Sequence, residues 1–227
     1  VNSSELLLPA GLVTGLLAGL ILLEPDLGTA VLLVATAGTM LFLAGLPWRH
    51  ILLGAAALVP LAALAIAAAP YRRQRLLTFL DPESDPLGSG FQVLQSLIAV
   101  GSGGLFGRGP GESLQKLHFL PYPFTDFIYA ILAEELGFVG AVFVLLLFAA
   151  VLWRGVRAGV NAPDSFGRYL AWGLTTVLVL QALINMSVVL GLFPTKGMPL
   201  PFLSYGGSSI VVTLVLCGLL LNLSQHA

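Results

Sequence analysis

Six runs of apolar residues, each about as long as a bilayer-spanning helix, constrain the fold of this chain more than any other feature. A helix crosses the hydrocarbon core with about 20 consecutive apolar residues. The sequence therefore predicts spans at residues 6–23, 27–46, 51–69, 127–152, 170–192 and 208–223. Of the 227 residues, 57% are hydrophobic and 9% are charged, a balance that soluble domains do not show. We expect an all-α polytopic membrane protein, with residues 1–227 in a single transmembrane domain.

Charge and histidine content exclude several classes of function. The net charge is −1 and the basic residues are scattered, so nothing indicates a nucleic-acid partner. The three histidines and one cysteine form no zinc-binding pattern, and Ser204 lacks the flanking glycines of a nucleophile elbow.

Because the chain begins at Val1 and not at Met, we expect either a fragment of a longer protein or its ordered remainder.

Charged residues in the short connections indicate how the spans are joined and oriented. Glu24, Pro25 and Asp26 join the first two spans in a tight hairpin, in which the proline interrupts the helix and Asp26 caps the next one. Short loops rich in Lys and Arg face the cytoplasm, and such loops here carry Arg49, Arg154, Arg157 and Arg168. The long loop 70–125 and the loop 193–207 are therefore expected to be extracytoplasmic.

The long loop holds five of the ten Lys and Arg residues. Arg72, Arg73 and Arg75 are numerous enough to bind an anionic lipid headgroup or a diphosphate, and snorkelling at the membrane interface is the alternative for them. Further on, a stretch too short to span predicts an interfacial helix. One face of this helix carries Phe91, Leu94, Leu97 and Ile98.

A glycine-rich run at residues 101–111 follows the predicted interfacial helix. It lacks the GxxxxGK[ST] spacing of a phosphate-binding P-loop. We expect a flexible loop, with Arg108 and Lys116 as candidate anion contacts.

Three carboxylates occupy the stretch FLPYPFTDFIYAILAEELG at residues 119–137. Asp126 lies at the start of the fourth span, where Thr125 or Asp126 can cap the helix or Asp126 can serve chemistry. Glu134 and Glu135 lie within the span, where ionisable groups are costly and are functional candidates. At 100° per residue, Glu134 lies about 80° round the helix from Asp126, and Glu135 about 180°. Glu134 is thus the better candidate to share a cavity with Asp126, while Glu135 is expected to pair with another helix.

The loop at residues 193–209, FPTKGMPLPFLSYGGSS, has three prolines and three glycines between two spans. Irregular backbone at membrane depth is tolerated only where it is buried in protein or lines a wet cavity. We expect it to form the wall of a site, with Lys196 and Ser204 as candidate substrate contacts.

Four blocks together resemble the SEDS family of cell-wall polymerases, which includes RodA, FtsW and SpoVE. The blocks are EPDLGTA at 24–30, LDPESDPLGSGFQ at 80–92, TDFIYAILAEELGFVG at 125–140 and PLPFLSYGGSS at 199–209. The family has ten transmembrane helices, so the six spans resemble its C-terminal part. LDPESDPLG and IAVGSGGLFGRG are similar to RodA, whereas SLQKL and QALIN are more similar to FtsW. Between the two, the resemblance to RodA is preferred.

The resemblance implies a glycosyltransferase in the bacterial plasma membrane. It would polymerise lipid II at the outer face, for cell shape or for division, with undecaprenyl diphosphate as leaving group. The essential aspartate of the family's TDF motif corresponds to Asp126. Asp126 and Glu134 are about 12 Å apart along a helix, too far for a retaining pair, so an inverting transfer fits best. No tightly bound cofactor is expected, and a divalent cation is a candidate helper for the diphosphate.

The sequence departs from the family at Tyr122, Pro123 and Phe124, where a Glu or Gln and then a His usually precede TDF. Any catalytic scheme that needs that histidine is therefore in question. A lipid-precursor flippase and a non-catalytic scaffold of a cell-wall complex remain as alternatives.

The resemblance also implies a partner, a class B penicillin-binding protein with one transmembrane helix. Helices associate in lipid through small residues that permit close approach. Gly11, Gly15 and Gly19 form such a row on the first span, and Gly38 lies on the second. The alternatives are that the row packs against other helices of the same protein, or that the partner docks on the fourth span.

Overall fold

The computed structural model describes residues 3–24, 26–88, 90–117 and 119–225. Pro25, for which the sequence predicts a helix break, lies outside these ranges. In the described residues the fold is all-α, which confirms the expected class. The helices are α1 Ser3–Leu23, α2 Leu27–Leu43, α3 Trp48–Ala67, α4 Pro70–Leu80, a 3₁₀ turn Pro82–Ser84, α5 Phe91–Ser102, α6 Ile128–Asn161, α7 Ser165–Val189 and α8 Gly207–Gln225.

A helix lies at each of the six stretches for which the sequence predicts a span. Among the described residues, four helices are long and apolar enough to cross a membrane, namely α3, α6, α7 and α8. The apolar parts of the first two are shorter, at Leu7–Leu23 and Leu27–Leu43, so the count of six spans stays a prediction. α6 continues nine residues beyond its predicted end because hydropathy marks the apolar run, whereas Arg154 and Arg157 are good helix formers.

Asp26 caps α2, as the sequence predicts. Its carboxylate accepts hydrogen bonds from the Thr29 amide at 3.0 Å and from the Thr29 hydroxyl at 2.6 Å. The first of these bonds satisfies an amide that has no partner within the helix.

The chain divides into two compact units. Unit 1 comprises Val1–Ala65, Leu152–Leu180 and Cys217–Ala227. Within it the end of α6 packs closely on the start of α7, because a Cβ at Gly155 would lie only 1.9 Å from Thr175 Oγ1. The Trp172 indole donates to the Val156 carbonyl at 3.2 Å. Small residues thus permit close approach between helices here.

Unit 2 comprises Ile66–Val151 and Gln181–Leu216. The start of α6 lies at the centre of its core, where Phe127, Tyr129, Ala130 and Ile131 are buried. Residues of α5, α7 and two loops surround them, namely Ala99, Ala182, Met186, Val189, Leu120 and Leu200. This packing fixes the first turns of α6 and the backbone just before it.

In the described part of the long loop there are two α-helices, α4 and α5, of which the sequence predicts only α5. α5 exposes part of its predicted apolar face, at Leu97 and Ile98, as an interfacial helix would. Its buried face is instead Val93, Ser96 and Ala99, and the Ser96 hydroxyl donates to the Val189 carbonyl at 2.8 Å. Small side chains face protein here and larger ones face outward, as in membrane helices generally.

Candidate active site

A tight turn at residues 122–127 carries Asp126 just before α6. The Tyr122 carbonyl accepts hydrogen bonds from the Thr125 and Phe127 amides, at 3.3 and 3.4 Å, and from the Thr125 hydroxyl at 3.3 Å. None of the described residues donates a hydrogen bond to the Asp126 carboxylate. Of the two alternatives for Asp126, a helix cap and a chemical role, the described contacts favour the chemical role, because neither Thr125 nor Asp126 accepts a hydrogen bond from the start of α6.

Three consecutive carbonyls of this turn are each held from outside it. The Phe124 carbonyl accepts from the Tyr205 amide at 2.8 Å, the Thr125 carbonyl from the Ser204 hydroxyl at 2.5 Å, and the Asp126 carbonyl from Asn185 Nδ2 at 2.8 Å. Each bond replaces the helical or solvent partner that an irregular backbone lacks. The main chain around Asp126 is therefore fixed from two directions.

The loop after α7 is itself anchored by α7 side chains. Asn185 Nδ2 also donates to the Met198 carbonyl at 2.7 Å, and Gln181 Nε2 donates to the Pro199 carbonyl at 2.8 Å. The Leu200 amide donates to Ser204 Oγ at 2.7 Å. Met198, Leu200 and Ser204 of this loop are buried, and Ser204 serves there as a link between two backbone segments.

Sequence reasoning missed Asn185 and Gln181 as site residues. Their signal is a pair of amide side chains four residues apart in an otherwise apolar helix, which places both on one face. The spacing alone does not reveal which carbonyls they meet.

The Asp126 carboxylate is half-buried against the backbone of Gly197. A Cβ at Gly197 would lie 3.0 Å from Asp126 Oδ2, so a glycine permits this close approach. Burial raises the pKa of Asp126 above its usual 3.8, because desolvation disfavours the charged form. Lys196 precedes Gly197 and is half-buried. A half-buried carboxylate of raised pKa, with no described donor, is a suitable general base.

α6 is broken at Gly137, whose φ of 68° is non-helical. The segment 104–109 fills the break. The Arg108 and Gly109 amides donate to the carbonyls of Glu134 and Glu135, both at 3.0 Å. The next residues, Phe138 and Val139, donate their amides to the carbonyls of Gly104 and Leu105, at 2.9 and 3.1 Å respectively.

This insertion explains the glycine-rich run. Gly107 has a φ of +79°, and a Cβ there would lie 2.0 Å from the Glu135 carbonyl oxygen. A Cβ at Gly103 would meet the Ala133 carbonyl at 2.0 Å. The run is thus packed against α6, and the prediction of a flexible loop is wrong.

The two glutamates of α6 hold the segment that follows the run. Glu134 is 1% exposed, and its carboxylate accepts from Ser113 Oγ and from the Leu114 and Gln115 amides, at 2.5 to 3.3 Å. Arg108 lies 3.8 Å away. Every hydrogen bond that the Glu134 carboxylate accepts from the described residues comes from 113–115, so the geometry favours a positioning role over the predicted shared cavity with Asp126.

Glu135 pairs with Lys116, at 2.7 Å. The sequence predicts a partner on another helix, whereas the partner lies on the loop. Lys116 and Arg108 are therefore neutralised by α6 carboxylates, which weakens their case as anion contacts.

The arginine cluster lies on α4, which the sequence does not predict. The guanidinium groups of Arg72 and Arg75 lie 5.4 and 5.9 Å from the centre of the Tyr71 ring, and Arg72 Nε donates to the Tyr71 hydroxyl at 2.7 Å. Arg75 lines a cavity of about 480 Å³, whereas Arg72 and Arg73 do not.

No group of three His, Cys, Asp or Glu side chains that could hold a metal ion occurs in the described parts of the chain. The divalent cation stays a prediction. The described residues contain no site at which protein side chains alone would hold it.

Comparison with known proteins agrees with the sequence blocks. A family model described as a cell cycle protein, FtsW/RodA/SpoVE, matches residues 2–227. Stage V sporulation protein E of Bacillus subtilis is 50% identical over 92% of this chain and 57% of its own length. A probable peptidoglycan glycosyltransferase FtsW of Alkalilimnicola ehrlichii is 52% identical over 95% of this chain and 54% of its own. The chain thus spans about half the length of these curated relatives.

Solved structures agree as well. One chain, from a study of polymerization and crosslinking by a peptidoglycan synthase complex, has a TM-score of 0.77 and 39% identity, covering 95% of this chain and 60% of that one. The rod shape determining protein RodA of Thermus thermophilus has a TM-score of 0.66 and 32% identity, covering 99% and 58%. With its long apolar helices this is a multi-pass bacterial membrane protein, and the chain belongs to the FtsW/RodA/SpoVE family, the SEDS proteins.

Proposed function

We propose that the protein containing this chain is a peptidoglycan glycosyltransferase that polymerises lipid II at the outer face of the plasma membrane. The observation that carries the proposal is the Asp126 carboxylate, held on a fixed turn with no described donor and with a raised pKa. The names of the FtsW relatives support the reaction class.

The chemistry needs one base and one leaving group. Asp126 removes the proton from an acceptor sugar hydroxyl while that oxygen attacks the anomeric carbon of the donor. The new carbon–oxygen bond forms as the bond to the diphosphate breaks, and undecaprenyl diphosphate leaves with the electron pair. A single displacement inverts the anomeric centre, and positioned general bases contribute about 100- to 10,000-fold.

The leaving diphosphate needs positive charge. Lys196, next to the glycine that contacts Asp126, and Arg75, on the cavity of α4, are the best-placed candidates. Arg108 and Lys116 are paired with glutamates, so we assign them to holding the loop. A divalent cation bridging substrate oxygens is a further candidate for this task.

A class B penicillin-binding protein is the proposed partner, docking through transmembrane helices. The matched chain from a peptidoglycan synthase complex supports an assembly of this kind. Both the FtsW and RodA names occur among the relatives, so division and elongation are both open, and the preference for RodA stays a prediction.

Polymerisation of purified lipid II by the purified protein, with no partner present, tests the function. Glycan strands are expected from the enzyme. Transport of lipid II across vesicle membranes without strand formation would support a flippase, and neither activity would support a scaffold.

A further inference from the structure

The cavity of about 480 Å³ in unit 2 lies between α4, the start of α5 and two loops. Its volume falls within the range of about 300–1,000 Å³ usual for small-molecule sites. Gln74 and Arg75 of α4, Gln92 of α5, and the loop residues Tyr122 and Thr195 line it. It is a mixed site, in which aromatic surface is combined with a few polar groups.

Two residues that line the cavity belong to chain segments that contain or contact Asp126. Tyr122 opens the turn that carries Asp126, and its carbonyl accepts three hydrogen bonds from that turn. Thr195 lies two residues before Gly197, whose backbone contacts the Asp126 carboxylate. Two segments that line the cavity are therefore the same ones that hold and contact Asp126, although Asp126 itself does not line it.

The polar groups of the cavity indicate the class of ligand. A glutamine amide both donates and accepts hydrogen bonds, and so does a threonine hydroxyl. A phosphate at neutral pH accepts hydrogen bonds and would leave the two glutamine carbonyls unused, whereas sugar hydroxyls and an acetamido group use both functions. Neither Gln74 nor Gln92 has a side-chain hydrogen bond with any described residue, so both amides are available. The described lining contains no carboxylate.

Tyr122 adds a second, independent indication. Its side chain is 67% exposed, and its backbone φ is 54°, a value that residues other than glycine rarely adopt. Strained backbone of this kind persists where surroundings enforce it and often marks ligand sites. Here the three hydrogen bonds to its carbonyl hold the strained residue, and Tyr122 is one of the residues that line the cavity.

We propose that this cavity is a saccharide subsite, in which Gln74 and Gln92 hydrogen-bond the hydroxyl or acetamido groups of a lipid-linked sugar and the Tyr122 ring packs on the sugar ring. Arg75, over the Tyr71 ring, faces the adjoining diphosphate. The proposal rests on the proposed function, because it takes the ligand to be a sugar carried on a polyprenyl diphosphate.

Binding measured without turnover tests the subsite. In purified protein carrying Asp126→Asn, affinity is measured for lipid II and for undecaprenyl diphosphate, which lacks the sugars. Adding Gln92→Ala is expected to weaken lipid II binding by about 3- to 10-fold, the value of one neutral hydrogen bond, and to leave undecaprenyl diphosphate binding unchanged. Gln74→Ala with Gln92→Ala should weaken it further.

Two more variants control for folding and for charge. Tyr122→Gly relieves the positive φ, so the protein should remain as thermally stable while lipid II affinity falls. Arg168→Ala removes an exposed arginine that does not line the cavity and should change neither affinity.

Equal weakening for both lipids, or unchanged lipid II affinity, would overturn the saccharide assignment. The wild-type polymerisation assay is separate from this result. Selective loss of lipid II binding in a protein that makes no glycan would leave the subsite standing and reject the glycosyltransferase.

Discussion

At the scale of single residues, the account depends on a carboxylate whose folded environment disfavours its charge. Burial raises the pKa of Asp126 above its usual 3.8, so the folded protein binds this proton more tightly than the unfolded chain. The contribution of Asp126 to stability is therefore most favourable below that usual pKa, and it declines as pH rises through the raised pKa.

Asp126→Asn removes this pH-dependent cost. We expect the variant to melt at the same temperature as the parent or higher at neutral pH, and the difference to shrink as pH falls towards 4. Thermal melts of the two proteins across this pH range check the prediction. A variant that is clearly less stable at neutral pH would mean that the carboxylate holds the fold together and is not reserved for chemistry.

The site residues identified from the sequence fall into two groups, depending on whether their role is visible in the local sequence or depends on contacts far away in the chain. Asp126 could be singled out because its motif and its place before an apolar helix are both visible in the sequence. Glu134 and Ser204 could be marked as unusual, but their roles depend on amides and carbonyls that lie 20 and 79 positions away in the chain. Hydropathy and spacing carry no information on such partners.

At the scale of elements, the broken helix α6 and the glycine-rich run form one structural device. Four backbone hydrogen bonds between 104–109 and 134–139 replace those lost at the break. The sequence predicts α6 as continuous because Gly137 is a single glycine within a long apolar run. The break becomes visible only in the structure, where the backbone at Gly107 packs against the backbone at Gly137.

Substitution of Gly107 tests this device. Gly107→Ala places a methyl group 2.0 Å from the Glu135 carbonyl oxygen at a φ of +79°, so it should destabilise the protein by at least about 1–2 kcal/mol. Gly101→Ala is the matched control, since its Cβ would meet nothing within 4 Å in helix α5, and alanine favours helix by about 0.5–1 kcal/mol. Thermal unfolding of both variants decides; similar stability for the two would show that 103–109 is not packed as described.

At the scale of the whole molecule, hydropathy predicted most of the helices because residues that face lipid are apolar, and long apolar runs are visible in the sequence. The helix α4 escaped prediction, since its sequence YRRQRLLTFL is polar and lies between turns. The family could be recognised from four short blocks because they occur in order along nearly the whole chain. The surface on which a partner protein docks cannot be predicted from the properties of one chain alone.

The glycine row of α1 is the surface that tests partner docking. Cβ atoms added at Gly11, Gly15 and Gly19 would meet nothing within 4 Å. Gly15→Leu is expected to prevent co-purification of the proposed partner, a class B penicillin-binding protein, while this protein stays inserted in the membrane. Loss of the protein itself from the membrane would instead assign the row to internal packing, and Gly218→Leu on α8, equally open, controls for bulk alone.

The role of Asp126 as general base is tested most directly by the rate of lipid II polymerisation by purified Asp126→Asn protein, measured beside the parent at matched lipid II occupancy. We expect a rate lower by about 100-fold or more, the least that a positioned general base usually supplies, with lipid II binding retained. A variant that binds lipid II and keeps most of its polymerisation rate would contradict the assignment of Asp126 as the base.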